Sequence, residues 1–339
     1  MTAVDVLIVS HDSAADLPAC LAAVAALEHR PLAAVVVDCA SADGSAAAAE
    51  GQRAALAAAG VGLTVEPLAD NAGFAAGMNR ALALSAGGSA GEWVLSLNPD
   101  ARPAPDYVPR LLARAAAHPE LRVGAVTGRL VRAAPAAGGA PVLDACGMRL
   151  TRSWRHLDRG SGEPDDGRFG VAERVFGATG AASLFWRAAL EDAALEGAAF
   201  DPRFHSFRED AELAFRLRER GWEVLYEPAA RAVHRRWSLP ERRRSMPAEV
   251  NRHSLKNRYL LRVYHQSPGN FWRTLPSALG RDLAALAWVL AAERSSLPAY
   301  GWLWRRRREI LARRRAIQAR RTVPPRELDR WFGRSGMPL

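Results

Sequence analysis

Lysine is almost missing from this chain. Of its 46 basic residues one, Lys256, is a lysine, so the positive balance is carried by arginine. Cysteine is also scarce. Cys20, Cys39 and Cys146 form an odd set without metal-ligand spacing, which excludes a disulfide framework and reads as buried thiols in a reducing compartment. Long apolar runs are few. The longest near the C-terminus, Leu283 to Ala292, is about half a membrane span, and Pro298 interrupts the pattern beyond it. Val4–Val9 is a short strand-like run, not the apolar core of a secretory leader. These absences predict a cytoplasmic protein, soluble or peripheral on the inner face of a membrane.

The chain has 339 residues, 49% of them hydrophobic, enough for a large catalytic domain and a smaller appendage. The formal net charge is +10, and the excess gathers after about residue 230. Such a patch suits phosphates: anionic lipid head groups, a pyrophosphate-bearing substrate, or nucleic acid.

The apolar pattern switches repeatedly between strand and helix periods. Val4–Ser10, Ala33–Asp38, Leu63–Glu66 and Trp93–Leu97 read as buried strands; Leu17–Leu27, Ser45–Gly60 and Gly77–Ser85 read as helices between them. This alternation predicts an open, mostly parallel α/β sheet, whose ligands bind beyond the carboxyl ends of the strands. Those ends carry Ser10-His-Asp12, Asp38, Asp70-Asn71 and Asn98-Pro-Asp100. Further on, Pro105–Ala117 reads as a helix, Val123–Val131 as a strand, and 133–170 as an irregular insertion with hairpin character. Phe176–Trp186 reads as a strand or strand–turn, Asp210–Gly221 as an amphipathic helix, and Trp222–Tyr226 and Ala230–Val233 as two short strands. The division is a catalytic domain over 1–240, with a donor half to about 130 and an acceptor half after it. A basic, tryptophan-containing helical region follows over 241–339.

Several strand-end residues suit defined chemistry. Asp38 can accept the imide N–H of a uracil or thymine ring. Asp43 and Ser45 nearby read as helix caps. Asn71, Gly73 and Asn79 lie in a run of small residues where the backbone can pass close to a ligand, although glycines there also serve turns and packing. Asp100, after the stiff Pro99, offers a hard oxygen for Mg²⁺ or Mn²⁺ carrying a diphosphate, or closes an Asx turn. Glu209 and Asp210 open a helix after an aromatic-rich loop, where a carboxylate can act as general base or simply complement the helix dipole. His234 ends a strand among arginines and suits a phosphate or a metal.

Taken in order, these pieces resemble the inverting, nucleotide-sugar-dependent glycosyltransferases of family 2, in particular the bacterial rhamnosyltransferase-like branch. The resemblance spans roughly 4–265: Ser10-His-Asp12, the Asp38–Ser45 run, the Asn71–Asn79 run, Leu97-Asn-Pro-Asp100, Gly180-Ala-Ala, Phe200–Phe204 with Glu209-Asp210 and Arg216, then His234. It implies a GT-A fold and hexose transfer, from a dTDP- or UDP-sugar to a saccharide or lipid-linked acceptor, as in polysaccharide or cell-wall synthesis. It assigns Asp38 to the nucleobase, Asp100 to the metal and diphosphate, Asp210 to the base and His234 to the metal. Beside them Ser10, Asp12, Asn71, Gly73, Asn79 and Asn98 are expected at the donor, Gly180 and Arg208 at the acceptor, and Glu209 with the base. Three positions depart from the family pattern. Asn98-Pro-Asp100 has one carboxylate fewer, Ser10-His-Asp12 replaces an aromatic and an asparagine, and Arg208 precedes the Glu-Asp pair.

Two other readings fit parts of the chain. A nucleotidyltransferase has a similar sheet but carries a glycine-rich basic loop after the first strand, where this chain has an acidic one. A non-enzymatic binder of nucleic acid or anionic surfaces explains the charge but not the strand-end acids, so no nucleic acid is expected. The C-terminal stretch Phe271–Trp304, with the arginine runs after it, fits either an anionic membrane surface or packing on the catalytic domain or a second subunit of a homo-oligomer.

Overall fold

The computed structural model describes residues 2–87, 90–133, 141–236 and 246–339; the basic run Glu241–Arg244 falls outside them. The first half supplies strands β1 (Val4–Ser10), β2 (Leu32–Cys39), β3 (Val61–Leu68), β4 (Trp93–Leu97), β5 (Ala101–Pro103) and β6 (Val123–Arg132). The second supplies β7 (Leu143–Ala145), β8 (Met148–Leu150), β9 (His156–Asp158), β10 (Glu173–Arg174), β11 (Ala182–Trp186) and β12 (Glu223–His234). Helices α1 (Leu17–Ala25), α2 (Ser45–Glu50), α3 (Arg53–Ala58), α4 (Gly73–Ala86), α5 (Tyr107–Ala116), α6 (Arg187–Ala193) and α7 (Glu209–Glu219) flank them.

The main sheet runs β10-β12-β6-β11-β4-β1-β2-β3, with β5 on β12 and β7 on β6. Strands β3, β2, β1 and β4 are mutually parallel, as are β6 and β12, while β11 runs antiparallel between β4 and β6. Both faces of β1, β2 and β4 are covered, which is why these strands read as nearly continuous apolar runs. In β1, Val4, Val6 and Ile8 join one core and Leu7 and Val9 the other. The register aligns the strand exits: Ser10 pairs with Asp38, Ile8 with Leu97, and Ala101 with His234.

Four local expectations change. The single helix over 45–60 is two, broken at Gly51-Gln52, where glycine weakens an alanine helix. Helix α4 starts at Gly73, four residues before the expected Gly77, so the Asn-Ala-Gly run forms its entrance. The strand of the 176–186 stretch is confined to Ala182–Trp186. The two short strands after Trp222 are one, β12, with an irregularity between Glu227 and Arg231 around Pro228, which lacks a donor for the ladder.

The C-terminal region contains α8 (Ala248–His265), α9 (Pro268–Ala292), α10 (Pro298–Arg305), α11 (Arg307–Ala319) and α12 (Pro325–Asp329). It shares a third core with the acceptor half, in which Phe204, Phe215, Phe176 and Trp154 pack with Leu260, Leu261, Tyr264 and Trp331. Buried polar contacts reinforce it: His265 lies between Glu212 and Glu219, and Arg313 reaches Asp201. Helix α9 departs from the sequence reading. It continues through Pro276 for 25 residues and is long and apolar enough, by length and composition, to cross a bilayer.

Candidate active site

The donor-side loops are stitched together by short polar side chains. Asp38 is buried at the end of β2, where its carboxylate accepts from the Ser10 hydroxyl (2.7 Å), the Ser41 hydroxyl (2.5 Å) and the Ser41 N–H (3.1 Å). Asp12 accepts from Ala42 N–H and donates its own N–H to Ser41 Oγ, each at 2.9 Å. Gly44 takes the cap position of α2 with φ 87°, while Asp43 accepts the N–H of Ser45, the first helical residue, at 3.1 Å. Asp43 also receives the Ala14 N–H, and Ser45 Oγ the Ser13 N–H, so both residues tie this loop to the one after β1.

Asn71, Gly73 and Asn79 shape the entrance and body of α4. Asn71 Oδ1 receives the Gly73 N–H at 3.0 Å. Gly73 has φ 81°, and a Cβ there would meet the His205 ring at 2.5 Å, so glycine is required by both backbone and space. The Asn79 amide departs from the donor role expected of it: both ends are taken by the Phe200 backbone, at 2.7 and 2.9 Å, which holds the 200–208 loop on α4.

The structure brings Asp100 and His234 together across 134 residues of chain. Asp100 Oδ1 lies 3.1 Å from His234 Nε2, and Asn98 Nδ2 lies 3.5 Å from the same nitrogen. The β5–β12 pairing causes this, by setting Ala101 opposite His234. Behind the ring, His234 Nδ1 lies 2.7 Å from Asp144 Oδ2, and Arg236 donates to Asp144 Oδ1 at 2.9 Å while reaching Asp158 at 2.6 Å. Burial disfavours a charged imidazole, but its hydrogen bonds to the Asp100 and Asp144 carboxylates outweigh it and raise His234 to about 9. His234 is therefore an imidazolium at neutral pH in this arrangement. Among the described residues, no cluster of three or more His, Cys, Asp and Glu side chains is spaced to hold a metal ion. Asp100 and His234 are a pair that two or more outside oxygens would have to complete.

Glu209 and Asp210 occupy the first turn of α7, Glu209 buried and Asp210 half-buried. Asp210 Oδ2 accepts the Gly180 N–H at 3.2 Å, and Oδ1 the Ala211 N–H at 2.7 Å. Burial, then the charge of Asp158, raise Asp210 to about 6 against the pull of those N–H groups. Burial, then the Asp210 charge, hold Glu209 well above the usual carboxylate range, and its Oε2 has no hydrogen-bond partner among the described residues. With its value at about 6, Asp210 is mostly ionised at neutral pH. Gly180 joins the two halves of the site: its N–H meets Asp210, its carbonyl accepts from Ser96 Oγ at 2.8 Å, and the next carbonyl, Ala181, accepts the Asn98 N–H at 2.8 Å. Two hydrogen bonds and one peptide unit thus link Asp210 to the Asn98-Pro-Asp100 turn.

The loop before α7 is strained and clamped. His205, Phe207 and Arg208 have positive φ, at 63°, 69° and 72°. The two N–H groups of the buried Asn257 amide, on α8, are shared among the carbonyls of Phe204, Ser206 and Phe207, at 2.8, 2.9 and 2.7 Å from its nitrogen. Arg208 donates to the Ser254 carbonyl at 3.3 Å and lies 3.0 Å from His156 Nδ1. Asp144, Asp158, Arg236 and Asn257 were not singled out from sequence. The first two lie in the irregular insertion, where no periodicity marks a strand end; the others carried no signal beyond charge or polarity.

Comparison with known proteins agrees with this geometry. Residues 5–133 match the model of Glycosyl transferase family 2. The match covers less than half of the chain and ends before Gly180, Asp210 and His234. No curated protein matches the chain. Among solved structures it is similar to the mannosyltransferase PcManGT from Pyrobaculum calidifontis in complex with GDP-Man and Mn²⁺. The identity is 21% and the TM-score 0.51, over 96% of this chain and 84% of that one. S. aureus TarS 1-349 in complex with UDP-GlcNAc aligns at 14% identity and TM-score 0.54, over 98% and 89%. GalNAc-T7 with UDP, GalNAc and Mn²⁺ aligns at 16% identity and TM-score 0.56, over 79% of this chain and 49% of that one. At these identities the likeness establishes the fold, a GT-A-like sheet with C-terminal helices.

Proposed function

We propose that the protein is an inverting glycosyltransferase moving a hexose from a nucleoside diphosphate sugar to a hydroxyl group of a saccharide or lipid-linked glycan. The observation that carries this reading is the hydrogen-bonded path from Asp210 through Gly180-Ala181 to Asn98, two residues before the Asp100–His234 contact. It sets a carboxylate poised near 6 beside a turn suited to a diphosphate. Asp210 takes the proton of the acceptor hydroxyl as its oxygen forms a bond to the anomeric carbon. The bond from that carbon to the diphosphate oxygen breaks on the opposite side, and the nucleoside diphosphate leaves. Burial and the Asp210 charge favour the neutral form of Glu209, which limits negative charge at the reacting face.

A divalent ion, Mg²⁺ or Mn²⁺, fits the donor set of Asp100 and His234. The fit rests on Asp144, which takes Nδ1 of the ring and leaves Nε2 beside Asp100. Such an ion would neutralise charge developing on the leaving diphosphate. His234 would have to give up its proton to bind it, so metal affinity rises with pH. The Mn²⁺ bound by two of the similar structures supports this part of the reading.

For the nucleobase, Asp38 supports uracil or thymine. A carboxylate has about four acceptor sites, and Ser10 and Ser41 use three, which leaves one for a ring imide N–H. A deoxyhexose such as rhamnose is the sugar suggested by the rhamnosyltransferase-like pattern. The test is a panel of UDP-, dTDP- and GDP-sugars, followed by nucleoside diphosphate release and calorimetric binding with and without Mn²⁺. One nucleotide should bind saturably with metal and lose at least about tenfold affinity in excess chelator. Absence of binding and turnover across the panel would end this reading; full activity in chelator would assign the diphosphate to arginine.

A further inference from the structure

Helix α9 leaves an apolar face uncovered. Trp272, Pro276, Leu279, Leu283, Leu286 and Leu290 recur at alternating steps of four and three residues, which puts them in one stripe. All six are exposed, Trp272 by 71% and Leu283 by 58%. The opposite side is fixed: Asn270, Thr274, Ala278 and Val289 are buried, and Asp282 pairs with Arg258 and Arg262 of α8. The stripe cannot turn inward without breaking those contacts.

Charge selects the occupant. Residues 246–339 contain 19 basic and 6 acidic residues, and Arg305–Arg308 beside the exposed Trp304 are all exposed. A second copy would bring the same positive charge against this face, whereas an anionic surface complements it. Crossing a bilayer is disfavoured by Asp282, whose ion pairs hold the middle of the helix to α8.

We propose that the outer face of α9, with the arginines after α10, docks on the surface of a bilayer containing anionic phospholipid. The leucine stripe and Trp272 enter the acyl boundary, and the arginines meet the lipid phosphates. Because α8 also clamps the 204–207 loop through Asn257, docking fixes the orientation of the Asp210 end of the site relative to that surface.

The test is co-sedimentation of the full chain with vesicles of phosphatidylcholine, alone or in an equal mixture with phosphatidylglycerol. No nucleotide sugar is present, so the result is independent of the transferase reading. Binding should favour the anionic vesicles by about tenfold or more and fall with added salt. Leu283→Glu with Leu286→Glu, both at exposed positions, should abolish it while leaving the melting temperature unchanged. Equal recovery in solution at every composition would overturn the proposal. So would binding that survives the glutamates, a concentration-dependent dimer that they dissociate, or resistance of the bound protein to alkaline carbonate, which marks a spanning helix.

Discussion

Asp210 and His234 are driven in the same direction, towards higher pKa values, for different reasons. For Asp210 burial dominates, so its ionised form is strained in the folded chain. The raised value means that the native state holds a proton more tightly than the unfolded one. The associated stability is present at low pH and is lost as pH rises through about 6. Asp210→Asn should therefore melt higher than the parent at pH 7.5, and by less at pH 4, in parallel thermal scans. The same titration predicts that kcat/KM falls as pH drops through about 6. A profile flat down to pH 5 would remove Asp210 as base. For His234 the carboxylates of Asp100 and Asp144 win over burial, and the imidazolium is retained to about 9. Asp144→Asn removes the partner of Nδ1, and should weaken Mn²⁺ binding, read by electron paramagnetic resonance, by about 10- to 100-fold. Unchanged affinity would place the metal elsewhere.

At the scale of elements, the strands were readable and the loops between them were not. The mostly apolar runs of β1 and β4 gave their bounds from sequence, because burial on both faces leaves few polar positions, and Asp5 and Ser96 are themselves buried and paired. The exits Asp38, Asp100 and His234 followed from those bounds. Asp144 and Asp158 did not, since β7 and β9 are three-residue strands whose positions are set by long-range pairing. Asn79 looked like a ligand group because an amide has no place in an apolar core, yet a buried loop backbone needed that amide. Asn257 plays the same part from α8, with three carbonyls of the strained 204–207 segment on one nitrogen. Asn257→Ala should cost about 1–3 kcal/mol of stability. It should also lower kcat more than it raises the donor KM, because the loop leads into Asp210 rather than into the donor strands. An equal effect on both, or a stability loss with kinetics unchanged, would reduce the clamp to a packing role.

The whole molecule joins two halves with different origins of order. The first half is built on parallel strands, and residues 5–133 match the model of Glycosyl transferase family 2. The acceptor half depends on α8, α11 and the C-terminal tail for its core, through Leu260, Leu261, Tyr264, Ile317 and Trp331. Arginine makes this possible: Arg216, Arg218 and Arg313 are buried and anchored by carboxylates or carbonyls, a task suited to the fork of the guanidinium. The central claim is that this assembly sets one carboxylate, Asp210, to deprotonate an acceptor while the strand exits hold a nucleoside diphosphate sugar. The most direct measurement is turnover and donor affinity of Asp210→Asn beside the parent, with the nucleotide sugar that binds. The account predicts an unchanged donor Kd and a turnover lower by about two to four orders of magnitude. Turnover within a fewfold of the parent, at the same donor affinity, would contradict it.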